Sequence, residues 1–259
     1  MSQDESALKS VSLTVMKGMA VLAAFDGRTH SMTLAELARA TGQDRATARR
    51  GALTLVQLGY LQQNGRGFSL TPKVLLIAGG FLQANRFGLH VQPVLNGHAE
   101  TLGTEITLAL REGSDVLLLA QSTLHHGRPV SFGFTVGSRL PLLHTSLGRM
   151  LLACEADEAL PDLISAAPPP RYTDLSLASP AEITESIRQA RADGYAMTDG
   201  EFEAGIVGFA VPVSRPGHRG LVVGANVARG AGGTDKDRML QTLQLCAADL
   251  RRNEALEAL

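Results

Sequence analysis

The N-terminal part of the chain contains two short helices, joined by a tight turn and followed by a hairpin. Thr33 and Glu36 form a capping-box pattern at the start of the first helix, and Gly42 is a residue type that ends helices in a left-handed conformation. Asp44 can cap the second helix, which Gly59 ends. This order of elements predicts a winged helix-turn-helix, in which one helix enters a DNA major groove and a hairpin lies beside it.

The hairpin and the local charge both support this interpretation. Asn64-Gly65 separates two short strand-like segments, and Asn-Gly is the strongest two-residue turn signal for a hairpin. Residues 1–80 contain nine Lys and Arg against five Asp and Glu, a net charge of +4, whereas the remaining residues carry −5. A basic domain gains affinity for nucleic acid because each neutralised phosphate releases counterions. We therefore predict double-stranded DNA as a partner and a DNA-binding domain over residues 9–72.

The second helix is predicted to make most of the DNA contacts. Its apolar stripe would face a core, and Thr47 and Arg50 share a different face, so these two side chains are predicted to contact base edges or the adjacent backbone. Arg45 and Arg49 are predicted mainly to bind phosphates. The complete predicted DNA-binding set is Thr33, Arg45, Thr47, Arg49, Arg50 and Arg66.

The chain length requires a second domain, because 259 residues are too many for one winged helix. Cys154 and Cys246 are the only cysteines and make no disulfide framework, which predicts a reducing, cytoplasmic location. The sequence has no apolar run near the roughly 18 residues that span a membrane, and no Cys-x-x-Cys or His-Glu-x-x-His spacing for a metal. We therefore expect no membrane contact, no bound metal and no cofactor.

The pattern changes from helices to strands after the DNA-binding domain. Residues 73–100 have a helical period and are predicted to form a linker helix, or two helices with a break near Pro93. Their apolar segment Leu75–Leu89 is predicted to contact another subunit of a homodimer or homotetramer; packing only within its own chain is the alternative. Asp115–Ser122 is a continuous apolar run and is predicted to be a central strand. Residues 101–259 are predicted to form an α+β domain with an antiparallel sheet.

Short runs along nearly the whole chain resemble the IclR family of transcriptional regulators, and their order and spacing together are specific. The carrying residues are Leu34–Gly42, Arg45–Arg50, Leu58–Leu61, Gly137–Pro141, Thr145–Arg149, Gly194–Ala196, Glu201, Gly205 and Ala210–Pro212. The resemblance implies an N-terminal winged helix-turn-helix, a linker helix and a C-terminal GAF-like effector-binding domain. It also implies a dimer or tetramer whose affinity for an operator changes when a small organic acid binds.

One subgroup of the family is particularly similar. Gly137–Pro141, Thr145-Ser146 and Ala225–Val227 resemble the regulators of aromatic-acid catabolism that feeds the β-ketoadipate pathway. This similarity implies an aromatic acid or its catabolite as the effector. The chain departs from the family pattern at Leu143, where most relatives have histidine, and at Arg229, where many relatives have small polar residues.

The helix start at Thr145 is the feature that points to an acid. Free N–H groups and the positive end of the helix dipole favour a carboxylate there, although a plain N-cap would also explain Thr145. The resemblance implies that the acid group binds N–H groups near Ser146 and Leu147, and Glu201 and Glu203 are interpreted as rim charges. The complete implied effector-binding set is Thr145, Ser146, Leu147, Thr198, Asp199, Gly208, Asn226 and Ala228.

Two other functions remain open from the sequence. His144–Gly148 partly resembles a Gly-x-Ser-x-Gly nucleophile elbow with histidine at the first glycine, so an esterase-like enzyme using Ser146 is one alternative. A small-molecule sensor whose N-terminal helices bind another protein instead of DNA is the second. The basic N-terminal part, the hairpin and the missing catalytic set favour a DNA-binding regulator that is not an enzyme.

Overall fold

The computed structural model describes residues 11–27, 29–123, 134–164, 170–213, 220–230, 235–253 and 256. The chain divides into two compact units between Leu82 and Gln83. The N-terminal unit contains the elements of a winged helix-turn-helix. In chain order these are α1 (Leu13–Ala23), β1 (Met32–Thr33), α2 (Leu34–Thr41), α3 (Arg45–Gln57), β2 (Leu61–Asn64) and β3 (Gly67–Leu70).

Side-chain caps begin α2 and α3, and a glycine ends α2, as the sequence predicts. Thr33 Oγ1 accepts a hydrogen bond from the N–H of Glu36 at 3.3 Å, and Glu36 Oε2 accepts one from the N–H of Thr33 at 2.7 Å. Gly42 closes α2 with a left-handed φ of 64°. Asp44 Oδ1 then accepts from the N–H of Thr47 at 2.9 Å and begins α3. Local hydrogen bonds therefore fix the helix-turn-helix.

The wing is a three-stranded sheet in the order β1-β3-β2. Asn64 pairs with Gly67 and closes the β2–β3 hairpin around the predicted turn. Strand β1 could not be predicted from the sequence, because two residues are too few to show an alternating pattern. Its pairing with β3, in which Met32 lies opposite Phe68, defines it as a strand. Helices and sheet enclose one apolar core, whose buried members are Val21, Met32, Leu37, Ala52, Leu55, Leu61 and Phe68.

The predicted linker helix is three helices: α4 (Val74–Ala84), α5 (Phe87–His90) and α6 (Gln92–Leu102). The first break falls at Arg86, whose φ of 50° is left-handed and interrupts a right-handed helix. The second break, at Val91, agrees with the expected break near Pro93. This proline occupies the first turn of α6, where its missing N–H has no intrahelical partner to lose. The division between the compact units falls inside α4, beyond the predicted domain limit at residue 72.

The C-terminal unit is built on one antiparallel sheet, which confirms the predicted α+β class. Its strands in the described residues follow the order β6-β5-β4-β9-β8-β7. Their bounds are β4 (Ile106–Glu112), β5 (Asp115–Gln121), β6 (Arg139–Pro141), β7 (Ala196–Asp199), β8 (Ile206–Pro212) and β9 (Leu221–Ala228). The helices after α6 are α7 (Ser146–Ala153), α8 (Leu160–Ile164), α9 (Pro180–Asp193) and α10 (Lys236–Arg251), with a 3₁₀ turn at Asp157–Ala159.

Helices pack against both faces of this sheet. Helix α7 packs on β8 and β9 and also contacts α9. Helices α6 and α10 pack against each other. Helix α6 contacts β4 and β5, and α10 contacts β8 and β9. Ala210 and Val222 belong to the α7 side, and their strand neighbours Phe209 and Val223 are buried on the opposite face. Strand β5 is apolar along most of its length because helices cover the sheet on both faces. Strand β5 is an interior strand, as predicted, with β4 on one side and the short edge strand β6 on the other, while β4 and β9 occupy the middle of the sheet in the described residues.

Candidate functional site

Helix α3 exposes a cationic face because its apolar stripe packs into the core of its unit. Arg45, Arg49 and Arg50 are exposed, and Thr47 is half-buried. The Thr47 hydroxyl donates to Asp44 Oδ2 at 2.7 Å and accepts from an Arg50 guanidinium N–H at 3.4 Å. Hydrogen bonds from Thr47 hold the pKa of the Asp44 carboxyl below its ordinary value. Thr47 can therefore offer a base mainly its methyl group, whereas Arg50 has five N–H donors and uses one of them on Thr47.

A groove between α3 and the hairpin brings together the other predicted DNA contacts. Its walls include Arg45 and Arg49 of α3, Arg66 of the hairpin turn and Thr33 at the start of α2. The described residues that line it contain no Asp or Glu, so the groove is cationic. Four of the six predicted DNA-binding residues share this groove, and Arg50 lies on a neighbouring face of α3.

The C-terminal unit contains a partly open cleft, here called the effector cleft, whose empty space together with its open mouth is about 470 Å³. It lies over the sheet at the N-terminal end of α7. Its apolar walls are Phe134, Leu140, Leu147, Phe202 and Ile206. Its buried or half-buried polar groups belong to His144, Thr145, Ser146, Thr198, Glu201 and Asn226. Mostly apolar walls with a few convergent polar groups are typical of a small-molecule site.

The start of α7 supplies hydrogen-bond donors to the effector cleft. Thr145 Oγ1 accepts from the N–H of Gly148 at 3.1 Å and donates to the carbonyl of Pro141 at 2.8 Å. The N–H groups of Ser146 and Leu147 occupy the first two helical positions and have no acceptor within the helix. A Cβ on Gly148 would lie 2.1 Å from the Leu142 carbonyl oxygen, so glycine is required for this close approach. A carboxylate is the group that such a helix start favours.

Three polar side chains converge over Gly208, a residue without a side chain in the middle of β8. A Cβ there would lie 2.7 Å from Ser146 Oγ, 2.8 Å from Asn226 Oδ1 and 3.2 Å from Thr198 Oγ1. Sheet register creates this cluster, because Gly208 pairs with Thr198 on one side and with Asn226 on the other. The glycine therefore leaves space that the polar groups border.

Six of the eight implied effector-binding residues line the effector cleft: Thr145, Ser146, Leu147, Thr198, Gly208 and Asn226. Asp199 does not, because the strand alternation that buries Thr198 turns Asp199 to solvent, where its Oδ1 accepts from Arg229 at 2.6 Å. Ala228 lies at the end of β9, beyond the lining of the cleft. Asp199 and Ala228 are therefore removed from the set of residues that line the cleft. Arg229, which departs from the family pattern, forms the exposed ion pair with Asp199.

A buried ion pair between Arg149 and Glu201 joins the walls of the effector cleft. Arg149 is 2% exposed, and its two terminal nitrogens donate to the two carboxylate oxygens of Glu201 at 3.0 and 2.7 Å. The same nitrogens donate to Ser186 Oγ of α9 at 2.6 Å and to the Leu143 carbonyl at 2.7 Å. Ser176 Oγ donates to the backbone carbonyl of Glu201 at 2.6 Å, so hydrogen bonds hold both the main chain and the carboxylate of this residue.

The interpretation of Glu201 as a rim charge was wrong, because Glu201 is 8% exposed and neutralised by Arg149. Glu203 is exposed at the cleft edge, as expected. The sequence offered one signal that was missed: Arg149 is a cation inside the apolar helix pattern of α7. A buried arginine requires a carboxylate partner, since an unpaired buried charge is strongly unfavourable.

His144 lies beside this pair with one ring nitrogen unused. Its Nε2 donates to the Leu177 carbonyl at 3.1 Å, its ring meets Tyr172 edge to face, and burial is the largest cause that lowers the pKa of His144. Nδ1 is buried and has no hydrogen-bond partner among the described residues. No hydrogen bond joins Ser146 to an imidazole in the part of the chain that the structure describes. The nucleophile elbow therefore lacks its general base there.

The described residues also bear on the expectations about metal ions and membranes. Among the described residues, no cluster of His, Cys, Asp and Glu side chains is placed to hold a metal ion. Within the same residues, every helix is too short or too polar to cross a membrane. His98, a lone histidine of α6, instead forms a 2.8 Å contact with the Asp249 carboxylate of α10.

Comparison with known families identifies the chain. Residues 14–65 match the IclR helix-turn-helix domain, and residues 88–252 match the domain described as bacterial transcriptional regulator IclR C-terminal. The chain belongs to the IclR family. It is a DNA-binding transcriptional regulator with a small-molecule effector, and the predicted fold class and regulatory role are confirmed.

Individual relatives agree with this assignment. The chain is 34% identical to the Pca regulon regulatory protein of Pseudomonas putida, over 77% of this chain and 68% of that protein. It is 31% identical to the Pca operon regulatory protein of Acinetobacter baylyi, over 92% of this chain and 87% of that protein. These two relatives extend the similarity to regulators named for the Pca genes.

Solved structures share the fold. An IclR regulator from Alicyclobacillus acidocaldarius matches with a TM-score of 0.79 and 23% identity, over 93% of this chain and 98% of that one. An IclR homologue from Microbacterium hydrocarbonoxydans, complexed with 4-hydroxybenzoate, matches with a TM-score of 0.71 and 22% identity, over 95% and 100% of the two chains.

Replacing Arg149 by methionine is expected to destabilise the C-terminal unit by roughly 3–5 kcal/mol, because Glu201 would be left as an unpaired buried charge. Arg229→Met is the matched control. Its ion pair with Asp199 is half-exposed, so the loss should stay below about 1 kcal/mol. The double variant Arg149→Met/Glu201→Leu should recover most of the loss. Chemical denaturation measures all three variants, and equal losses for the two single variants would contradict this role of the buried pair.

Proposed function

We propose that this regulator responds to a small aromatic carboxylate bound in the effector cleft. The observation that carries the proposal is the start of α7, where Ser146 and Leu147 line a cleft with apolar walls and their N–H groups have no acceptor within the helix. A carboxylate would bind these donors, and the ring would lie toward Gly208 and Asn226. The 4-hydroxybenzoate complex of an IclR homologue and the names of the Pca relatives support this choice of effector class.

Electrostatics support an anionic ligand in this cleft. Glu201 borders the cleft but does not repel an anion, because Arg149 neutralises it with two hydrogen bonds. The helix dipole adds partial positive charge at the N–H groups of Ser146 and Leu147. A carboxylate placed there would lose water and gain charge-assisted hydrogen bonds, which are the strong kind.

Binding can regulate DNA affinity only if the effector prefers one arrangement of the protein over another, and typical couplings are about 1–3 kcal/mol. Because Ser146 has no general base among the described residues, we favour a regulator over an esterase. A regulator of this kind acts on the chromosome, so we propose a cytoplasmic location.

In the DNA complex, Arg50 is the residue proposed to read a base edge. Its guanidinium is exposed, and the bidentate geometry of arginine suits the O6 and N7 atoms of guanine. Thr47 would contribute a methyl contact and would hold Arg50 through its hydroxyl. The cationic groove of Arg45, Arg49 and Arg66 would bind phosphates, with Thr33 beside them.

Exposed apolar helices in the N-terminal unit support a dimer as the smallest functional unit. Helix α4 has no buried residue, and Leu75 and Leu76 are 66% and 71% exposed. Helix α1 also exposes large apolar side chains, including Leu13 and Met16. Exposed apolar surface of this kind marks a protein interface. Two winged helices would then bind two half-sites separated by about one or more helical turns of DNA.

Arg50→Ala is expected to reduce the preference for the operator over random DNA by roughly 1–3 kcal/mol. Arg49→Ala should weaken binding to both DNAs equally and lower the salt dependence by about one released counterion. Fluorescence anisotropy with DNA from upstream of the protein's own gene measures both effects, and Arg188→Ala, an exposed arginine of α9, is the control. An equal loss on operator and random DNA for Arg50→Ala would reassign this residue to phosphate binding.

The double variant Leu75→Glu/Leu76→Glu is expected to halve the molecular mass measured by light scattering at micromolar concentration, because the added charges oppose burial of α4. Operator affinity should fall with it. Leu245→Glu changes a comparably exposed leucine of α10 and should leave the mass unchanged. A wild-type protein that is monomeric at this concentration and still binds its operator tightly would rule out the proposed dimer.

Ser146→Pro removes one backbone donor at a helix position where proline is tolerated, so α7 should persist. Affinity for benzoates is expected to fall about 10- to 100-fold, the value of one hydrogen bond to a charged group. Ser146→Ala keeps the N–H and removes only the hydroxyl, and it should bind more tightly than the proline variant. Calorimetry over benzoates, adipate and short keto acids tests the site. Unchanged binding by Ser146→Pro would show that the carboxylate lies elsewhere.

A further inference from the structure

Two amide side chains of α6 hold the chain where β5 ends. Gln92 Nε2 donates to the Gln121 carbonyl at 2.8 Å and to Asn96 Oδ1 at 2.9 Å. Asn96 Oδ1 also accepts from the N–H of Thr123 at 2.9 Å. Residues four apart share one face of a helix, so the two side chains act together. We call this network of Gln92, Asn96 and the main chain at Gln121 and Thr123 the amide clamp.

The amide clamp fixes the orientation of both side chains. Gln92 Nε2 has two N–H donors and two acceptors, and Asn96 Oδ1 has two lone pairs and two donors. Exchanging oxygen and nitrogen in either amide would place two acceptors or two donors against each other. The buried apolar residues of α6, Leu95 and Ala99, pack without such a requirement, because burial is non-directional. The clamp therefore transmits a displacement that apolar packing alone would absorb by sliding.

The other end of α6 is tied to a wall of the effector cleft. Gly103 ends the helix, and Thr104 follows it in a buried position. The Thr104 hydroxyl donates to the Asn226 carbonyl at 2.9 Å. Asn226 lines the effector cleft and, together with Gln121, borders a recess that adjoins it. Hydrogen bonds at both ends of α6 thus hold the main chain of residues that border the cavity.

Helix α6 is also the last helix of the segment that connects the two compact units. Helix α4 contains the division between the units, and only the short helix α5 separates it from α6. If the end of β5 shifts, α6 must move with it or lose the amide clamp. Because α6 continues through α5 into α4, its displacement acts on the segment that leads to the DNA-binding unit.

We infer that Gln92 and Asn96 are positioning residues for the effector response, and that the amide clamp transmits occupation of the effector cleft to α6. This inference rests on the proposed function, because it assumes that a ligand lies beside Asn226. The affinity for the ligand itself depends on contacts inside the cleft. The ratio of operator affinities with and without ligand depends on the clamp. Coupling is reciprocal, so operator binding must also act on the end of β5.

The double variant Gln92→Met/Asn96→Leu removes the clamp and nearly preserves side-chain size. Calorimetry with the full-length protein measures binding of benzoate and 4-hydroxybenzoate, and fluorescence anisotropy measures operator affinity with and without saturating ligand. In the wild type, the ligand is expected to change operator affinity by about 5- to 150-fold. In the double variant this ratio should fall close to one, while the dissociation constant of the ligand changes several-fold at most.

Matched variants separate transmission from a purely structural role. Asn96→Asp keeps an oxygen that can accept from Gln92 and Thr123, so it should retain most of the response. Gln92→Glu keeps the size but replaces the donors by acceptors, and it should lose the response even if the double variant fails to fold. Gln189→Met removes an exposed amide of α9 that donates to Asp193, and it should leave the ratio unchanged.

Two results would overturn the inference and leave the effector site intact. One is a wild-type ratio in the variants that lack the clamp. The other is a loss of the response in Gln189→Met that equals the loss in those variants.

Amide hydrogen exchange tests the clamp without any ligand. Ser122 lies between the two residues that the clamp holds, and its N–H donates to the Ile106 carbonyl at 2.9 Å, outside the clamp. Operator DNA is expected to change the exchange rate of this N–H in the wild type but not in Gln92→Glu. Equal rates in free and operator-bound wild type would overturn the inference. If neither benzoate binds below the millimolar range and the operator still changes this rate, the proposed effector class fails and the clamp stands.

Discussion

The buried ion pair between Arg149 and Glu201 is the interaction on which the effector cleft depends. A charge pair in the protein interior is costly unless hydrogen bonds compensate it. The two terminal nitrogens of Arg149 donate to four acceptors, which restricts their partners to one arrangement, while its Nε has no partner among the described residues. Arg149 connects α7 to the chain before it at Leu143 and to α9 at Ser186, while Glu201 belongs to the connection between β7 and β8. The start of α7 and the floor of the cleft are thereby held together.

The polarity of the cavity follows from this arrangement. Neutralising Glu201 removes a negative charge from the end of the cleft where a carboxylate would bind, so the N–H groups of Ser146 and Leu147 determine the chemistry there. Gly208 has no side chain at the point where the polar side chains of Ser146, Thr198 and Asn226 converge.

Much of the N-terminal unit could be predicted from its own residues, because caps and turns act over three or four positions. Thr33, Gly42, Asp44 and the Asn64-Gly65 turn each have the role that their residue types indicate. The effector cleft was predicted by a different route, the family resemblance. Six of the eight residues that the resemblance implied line the cleft. Asp199 does not, because its direction depends on which face of β7 is buried.

The sequence by itself determined the starts of α2, α3 and α7, the basic N-terminal unit and the α+β class, since local hydrogen bonds and apolar periodicity encode these properties. Only the tertiary structure decided that Arg149 pairs with Glu201, that β5 lies near the sheet edge, and that α6 holds the end of β5. These facts depend on strand order and register between segments far apart in the chain. No local pattern encodes such pairings, because their energy arises only after the sheet and its covering helices have come together.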